Sequence, residues 1–291
     1  AVERKDALLK VREVLAPALK SKKFKTQKDV DDFLIEKDGT RDKSGLGVNA
    51  ILPVSIAAAR ALAGAEGRQL WEFISSLSGG KARMPLPCLL LVEGGLHAGG
   101  GVDIQEFMVI ARGGSFEESL KRGVGIYEEL KDKIKDIYGE EALNVGMEGG
   151  LTPSASGTEK VLEIISAVTQ KEDLIVLDAA ANHFRRKDYY LLENRKFSSR
   201  ELTDFYRALS VFAVEDPFSE EDENAWARAT SLFRIGDDLT VSSASRIERA
   251  YAENLVDGVV IKPNQVGTVT ETVKAVKAAR AGNLAVFVKH R

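Results

Sequence analysis

An α/β barrel preceded by an all-helical segment is the fold this sequence predicts, and three observations lead to it. The second half alternates short β-branched runs with helix-period stretches, as parallel βα units do. Five of those runs end in an ionisable residue: LIVLD at Asp178, VFAVE at Glu215, FRIGD at Asp237, DGVVIK at Lys262 and AVFVKH at His290. Parallel barrel strands deliver their C-terminal residues to one mouth, where such folds place their chemistry. The alternative, a doubly wound sheet, gathers its ligand residues at one crevice and carries a glycine fingerprint in its first βα turn, which is missing here.

The segment from residue 1 to 80 reads as helical. ERKDALLKVREVLAPALK repeats apolar residues at helical spacing, with Pro17 marking a kink or boundary. SKKFKTQKDVDDFLIEKDG gives a second helix closed by Gly39, and GVNAILPVSIAAARALAGAEG a small-residue helix with Pro53 near its start, tolerable if it lies in the first turn. QLWEFISSL is one more short helix, and SGGK marks the expected boundary between a domain at 1–80 and a second at 81–291.

From Pro85 the rhythm changes. PLPCLLLV and QEFMVI are strand candidates around the glycine-rich EGGLHAGGGVD, followed by a long helix from Ser115 to about Tyr138. The loop LNVGMEGGLTPSASG puts Glu148 on a turn. Strands are then expected at 174–178, 211–215, 233–237, 258–262 and 285–289, with helices near 201–209, 222–229, 244–253 and 269–280. That makes seven strand segments where a closed barrel needs eight, so the chain is expected to be incomplete at its C-terminus.

Composition narrows the function. Of 291 residues, 44% are hydrophobic, enough for a sizeable core. The 41 Lys and Arg against 44 Asp and Glu leave a formal charge of -3, and no basic stretch interleaved with aromatics suggests nucleic acid. Cys88, the single cysteine, forms no internal disulfide and fits a reducing compartment, and its apolar run makes it a core residue. With no uninterrupted apolar run of membrane length, the cytoplasm is the expected location.

Asp178, Glu215 and Asp237 are hard oxygen donors one βα unit apart, a set that suits Mg2+ better than zinc. Helix caps or surface ion pairs are the other use for such carboxylates, and a capping or supporting role is expected for Asp216 and Asp238. Lys262 follows an apolar run, where desolvation and nearby cationic charge would lower its pKa toward that of a base; a structural lysine facing carboxylates is the alternative.

In order along the chain stand HAGG at 97–100, QEF at 105–107, NVG and EGG at 144–150, DAA at 178–180, EDPF at 215–218, GDDLTV at 236–241, KPNQVGT at 262–268 and HR at 290–291. With DGT at 38–40 and GVNAILPVS at 47–55, this set resembles the enolase family over nearly the whole chain. The resemblance implies an enolase-like barrel preceded by the helical part of a smaller α+β capping domain, whose opening sheet would lie upstream of Ala1. It further implies Mg2+-dependent, reversible dehydration of 2-phospho-D-glycerate, a phosphorylated small carboxylic acid, in a cytoplasmic homodimer. By the same resemblance Asp178, Glu215 and Asp237 match ligands of the tightly held Mg2+, with a second ion arriving with substrate. Lys262 matches the base, Glu148 the acid with Glu106 behind it, His97 and His290 substrate-contacting histidines, and Arg291 a residue at the phosphate.

The chain departs from the usual family pattern at four positions. Glu93 stands for asparagine, Leu96 for serine, Met147 for aspartate and Lys289 for serine. Lys289 would offer the phosphate a positive charge or obstruct the pocket. Two functions follow: a working enolase, and a catalytically impaired relative that keeps the fold in a structural or regulatory role, including within a larger assembly.

Overall fold

The computed structural model describes residues 3–95, 101–154 and 157–289. Its residues group into two units: one holds the chain up to Arg83, Thr240–Asn254 and the part from Gly258 onward, the other Met84–Leu239 and Leu255–Asp257.

The first unit opens with helix α1 (Arg4–Leu9), a π-helical stretch Lys10–Leu15 and α2 (Ala16–Lys20). Pro17 lies near the start of α2 in a run that is already helical before it, and the wider π-helical stretch immediately precedes the residue that lacks an N–H. Thr26 caps α3 (Gln27–Asp38) through a reciprocal box: its hydroxyl accepts from the Asp29 N–H at 3.1 Å, and the Asp29 carboxylate accepts from the Thr26 N–H at 2.9 Å. Gly39, at φ 72°, ends that helix.

Helix α4 (Val48–Ala65) follows, with Pro53 in its interior, beyond the first turn in which it would be tolerated most easily. By length and composition α4 could cross a membrane, but its apolar side chains pack in two clusters of the unit. One joins Ile51 to Leu15, Val30, Leu34 and Leu46; the other joins Ala59 and Ala63 to Phe73 of α5 (Leu70–Ser78).

The second unit begins with β1 (Leu89–Glu93) and β2 (Glu106–Ile110), paired antiparallel, and Cys88 is half-buried just before β1. Ser115 caps α6 (Phe116–Tyr138), whose buried face is Ser119, Gly123, Ile126, Leu130 and Ile134, the spacing of one helical stripe. Then come α7 (Thr158–Ser166), β3 (Leu174–Asp178), the hairpin of β4 (Tyr190–Leu192) and β5 (Arg195–Phe197), α8 (Ser199–Ala208), β6 (Ala213–Glu215), α9 (Glu223–Arg228) and β7 (Arg234–Gly236). The main sheet of this unit runs β1-β2-β3-β6-β7; β2 is antiparallel to both neighbours, and β3, β6 and β7 are parallel. Phe184, Tyr190, Tyr206, Phe218 and Trp226 interlock as a buried aromatic cluster, so Tyr190 and Trp226 are packing groups.

The chain completes the first unit with α10 (Ala244–Ala252), β8 (Gly258–Ile261), α11 (Pro263–Val266), α12 (Val269–Ala281) and β9 (Ala285–Val288), which pairs parallel with β8. The start of α12 is tied to the N-terminal helices by buried polar groups. Ser55 accepts from the Val269 N–H at 2.9 Å, and Asp31 from the Thr270 N–H at 2.8 Å. Lys43 pairs with Glu271 at 2.8 Å.

Candidate active site

Four acidic residues occupy facing positions on adjacent strands of the second unit. Glu93 of β1 pairs with Glu106 of β2, Glu106 with Asp178 of β3, and Asp178 with Glu215 of β6. Facing residues share a side of a sheet and adjacent strands lie about 4.8 Å apart, so this is a continuous row of carboxyl groups at one sheet end. All four are buried, at 1%, 5%, 4% and 1% relative exposure. Because β2 runs antiparallel, it contributes the residue at its start, whereas β1, β3 and β6 contribute their last residues.

Asp237 follows β7 and is 6% exposed. Its position is set by Asp216, whose two carboxylate oxygens accept from the N–H groups of Asp237 and Asp238, each at 2.9 Å. Asp216 itself adopts φ 41°, and Ala180, two residues past the end of β3, adopts φ 45° while donating its N–H to Asp178 at 2.9 Å. Left-handed non-glycine backbone of this kind is held by its surroundings and gathers at functional sites. One carboxylate oxygen from each of Asp216, Asp237 and Asp238 lies within 4.8 Å of the others. Burial, then the charges of Asp178 and Asp238, push the Asp216 carboxyl well above its ordinary range despite the N–H bonds that oppose the shift.

Further contacts order the row. Gln105 reaches Asp178 with its side-chain N–H at 3.3 Å, and Asn182 donates to Asp238 at 2.9 Å. Glu148 lies half-buried on the loop beside β1, and Met147 next to it is 69% exposed. Among described residues of the second unit, the structure thus brings together Glu106, Asp178, Glu215 and Asp237, with Glu93 and Asp216 as additions. The sequence pointed to Asp216 through the acidic doublets 215–216 and 237–238, and to Glu93 only as a departure from the family pattern.

Lys262 and Lys289 belong to the first unit, at the same end of the β8–β9 pair. The Lys262 N–H donates to the buried Ser242 hydroxyl oxygen at 2.8 Å, and the Lys289 N–H to the Ile261 carbonyl at 3.3 Å. Val241 and Ser242 both have positive φ, 41° and 55°, so this brace too is a strained turn. His97, His290 and Arg291, and with them Leu96, lie outside the described residues.

The donor set of the acidic row is all oxygen, with neither thiolate nor imidazole among the residues described there, and so fits a hard divalent cation. Comparison with known proteins identifies the family. The family model described as Enolase, N-terminal domain matches residues 2–74, and the one described as Enolase, C-terminal TIM barrel domain matches residues 81–291. An enolase of Methanocaldococcus jannaschii is 36% identical over 298 residues, covering 98% of this chain and 70% of that protein. An enolase of Aeropyrum pernix is 37% identical over 295 residues, covering 96% of this chain and 68% of its own. The α/β barrel expected from the strand–helix rhythm is therefore the fold, and this chain belongs to the enolase family.

Proposed function

We infer that the protein is a phosphopyruvate hydratase, a lyase of glycolysis that interconverts 2-phospho-D-glycerate and phosphoenolpyruvate. The observation that supports this most is the buried row Glu106, Asp178 and Glu215, with Asp237 beside it, in a member of this family. Asp178, Glu215 and Asp237 would hold Mg2+, and a second ion would accompany the substrate. Bound there, Mg2+ supplies positive charge to the substrate carboxylate as negative charge builds on its oxygens.

The protein's own groups move the protons. Lys262, as a neutral amine, takes the proton from the carbon bearing the phosphate, and the electron pair left behind forms the carbon–carbon double bond. Hydroxide leaves the neighbouring carbon and takes a proton from the Glu148 carboxyl, departing as water. Lys262 ends as ammonium and Glu148 as carboxylate; the site is reset when the ammonium releases a proton and the carboxylate takes one up. Glu106 supports the acid, while His97, His290, Arg291 and Lys289 are assigned to substrate and its phosphate. The reading includes a cytoplasmic homodimer and a division of the chain near residue 80.

The test is 2-phosphoglycerate-dependent appearance of the phosphoenolpyruvate ultraviolet absorbance, with and without Mg2+. Robust Mg2+-dependent turnover is expected. Its absence from folded, Mg2+-loaded protein would instead favour an impaired relative, for which Met147 beside the assigned acid is the first suspect.

A further inference from the structure

Glu93 directs both oxygens of its carboxylate at one short loop. Oε1 accepts from the Glu148 N–H and Oε2 from the Gly150 N–H, both at 2.9 Å. The backbone adds to the hold: Glu93 donates its N–H to the Leu151 carbonyl at 2.9 Å, and Leu151 donates to the Leu91 carbonyl at 2.9 Å. Across the loop the Gly146 N–H donates to the Gly150 carbonyl at 2.8 Å. On its far side Tyr127 of α6 donates its hydroxyl to the Gly149 carbonyl at 3.0 Å.

The fit around this carboxylate is close. A Cβ on Gly146 would lie 2.1 Å from Glu93 Oε2, and one on Gly150 would lie 2.8 Å from Glu93 Cγ, so the loop accepts only glycine at both places without rearranging. Chemistry selects the occupant as well. A carboxylate only accepts, so it answers two converging N–H groups at once, and ionisation strengthens both bonds. The amide of glutamine has a single accepting oxygen and would turn its NH2 toward the second N–H.

We propose that Glu93 is a positioning residue for Glu148, fixing through the backbone of 148–150 where the Glu148 carboxyl is presented. The proposal rests on the reading of Glu148 as the acid. It assigns a role to Glu93 that a residue with one acceptor does not reproduce. Both Glu93 oxygens are engaged by the loop N–H groups of Glu148 and Gly150, and Glu93 is not among the assigned ligands Asp178, Glu215 and Asp237, so it should affect leaving-group departure and leave binding of metal and substrate in place.

The test is Glu93→Gln in the whole protein, with Gly146→Ala as a second variant that displaces the carboxylate sterically and leaves charge untouched. For both, kcat is expected to fall about tenfold or more while the KM for 2-phosphoglycerate stays within about threefold. Mg2+ affinity by titration calorimetry should hold, and hydrogen exchange at the Glu148 and Gly150 amides should quicken about tenfold or more. An unchanged kcat in either folded variant overturns the proposal, as does a loss confined to KM. If the unsubstituted protein turns over no 2-phosphoglycerate, the functional reading has failed separately. The exchange data then decide alone: unaltered protection at 148 and 150 overturns the hold, and lost protection supports it.

Discussion

Lys262 and Asp178 make separable demands on the site, since one is assigned to move a proton and the other to hold a cation. Replacing Lys262 by alanine removes the amine and leaves every carboxylate of the second unit unaltered. Turnover is therefore expected to drop by about a thousandfold, with Mg2+ affinity by calorimetry unchanged. Turnover that survives the substitution would remove Lys262 from the mechanism. The residue scale also shows what one sequence can carry. Asp178 and Glu215 stand out because parallel strands deliver their last residues to one end, a rule that needs no register. Glu93 and Glu106 join the row through the antiparallel pairing of β1, β2 and β3, and register between distant strands is set by packing and turns beyond any local window. Asp216 is legible as an acid, but its grip on two N–H groups follows from a left-handed φ that composition does not announce.

At the scale of elements, Asp173 joins three pieces of the second unit that the strand–helix rhythm leaves unconnected. Its carboxylate takes Arg122 of α6, the Arg112 N–H just past β2 at 3.3 Å and the Gln170 N–H ahead of β3 at 2.8 Å. Burial raises its pKa, and the bonds from Arg122, Gln170 and Arg112 outweigh that, so the folded value lies below the ordinary one. A carboxylate of this kind adds stability above its unfolded pKa of about 3.9 and gives it up as pH falls through the lower folded value. Asp173→Asn is expected to cost about 3 kcal/mol at neutral pH, because it leaves the Arg122 guanidinium short of its charge partner. In urea titrations, the variant should lose less stability than the parent between pH 5 and about pH 3. Equal losses in the two proteins would show that other carboxylates govern acid unfolding. Long amphipathic elements such as α6 and α12 were legible because a strong period and a capping Ser115 or Thr268 mark them. Helix α7 was not: nine residues after a glycine-rich loop give few periods to read. The β4–β5 hairpin turns through Glu193 and Asn194, both at positive φ, and Glu193 is held there by accepting from Thr158 and donating its N–H to Asp103. Those partners lie 35 and 90 residues away in sequence, which is why the turn was invisible locally.

For the molecule as a whole, the barrel rhythm was readable because each βα unit repeats the same local signals, whereas the grouping of residues 240–254 and those from 258 onward with the N-terminal helices rests on contacts that no local window holds. That grouping runs through Ser55, Asp31 and Lys43 reaching α12, contacts more than 200 residues apart in sequence. Metal linkage gives the test at this scale. A cation that binds the folded acidic row and not the unfolded chain stabilises the protein by about 2.7 kcal/mol at a free concentration 100 times its Kd. With an unfolding entropy of about 2.1 cal/mol/K per residue, a chain of 291 residues should then gain about 4 °C in Tm. Calorimetric scans with Mg2+ and with chelator should show that gain, and Asp178→Asn should abolish most of it at the same Mg2+ concentration. A gain of equal size in Asp178→Asn would place the stabilising ion elsewhere. No gain in the parent would mean that the row tolerates its burial by hydrogen bonding alone, and the assignment of Asp178, Glu215 and Asp237 as ligands would have to be withdrawn.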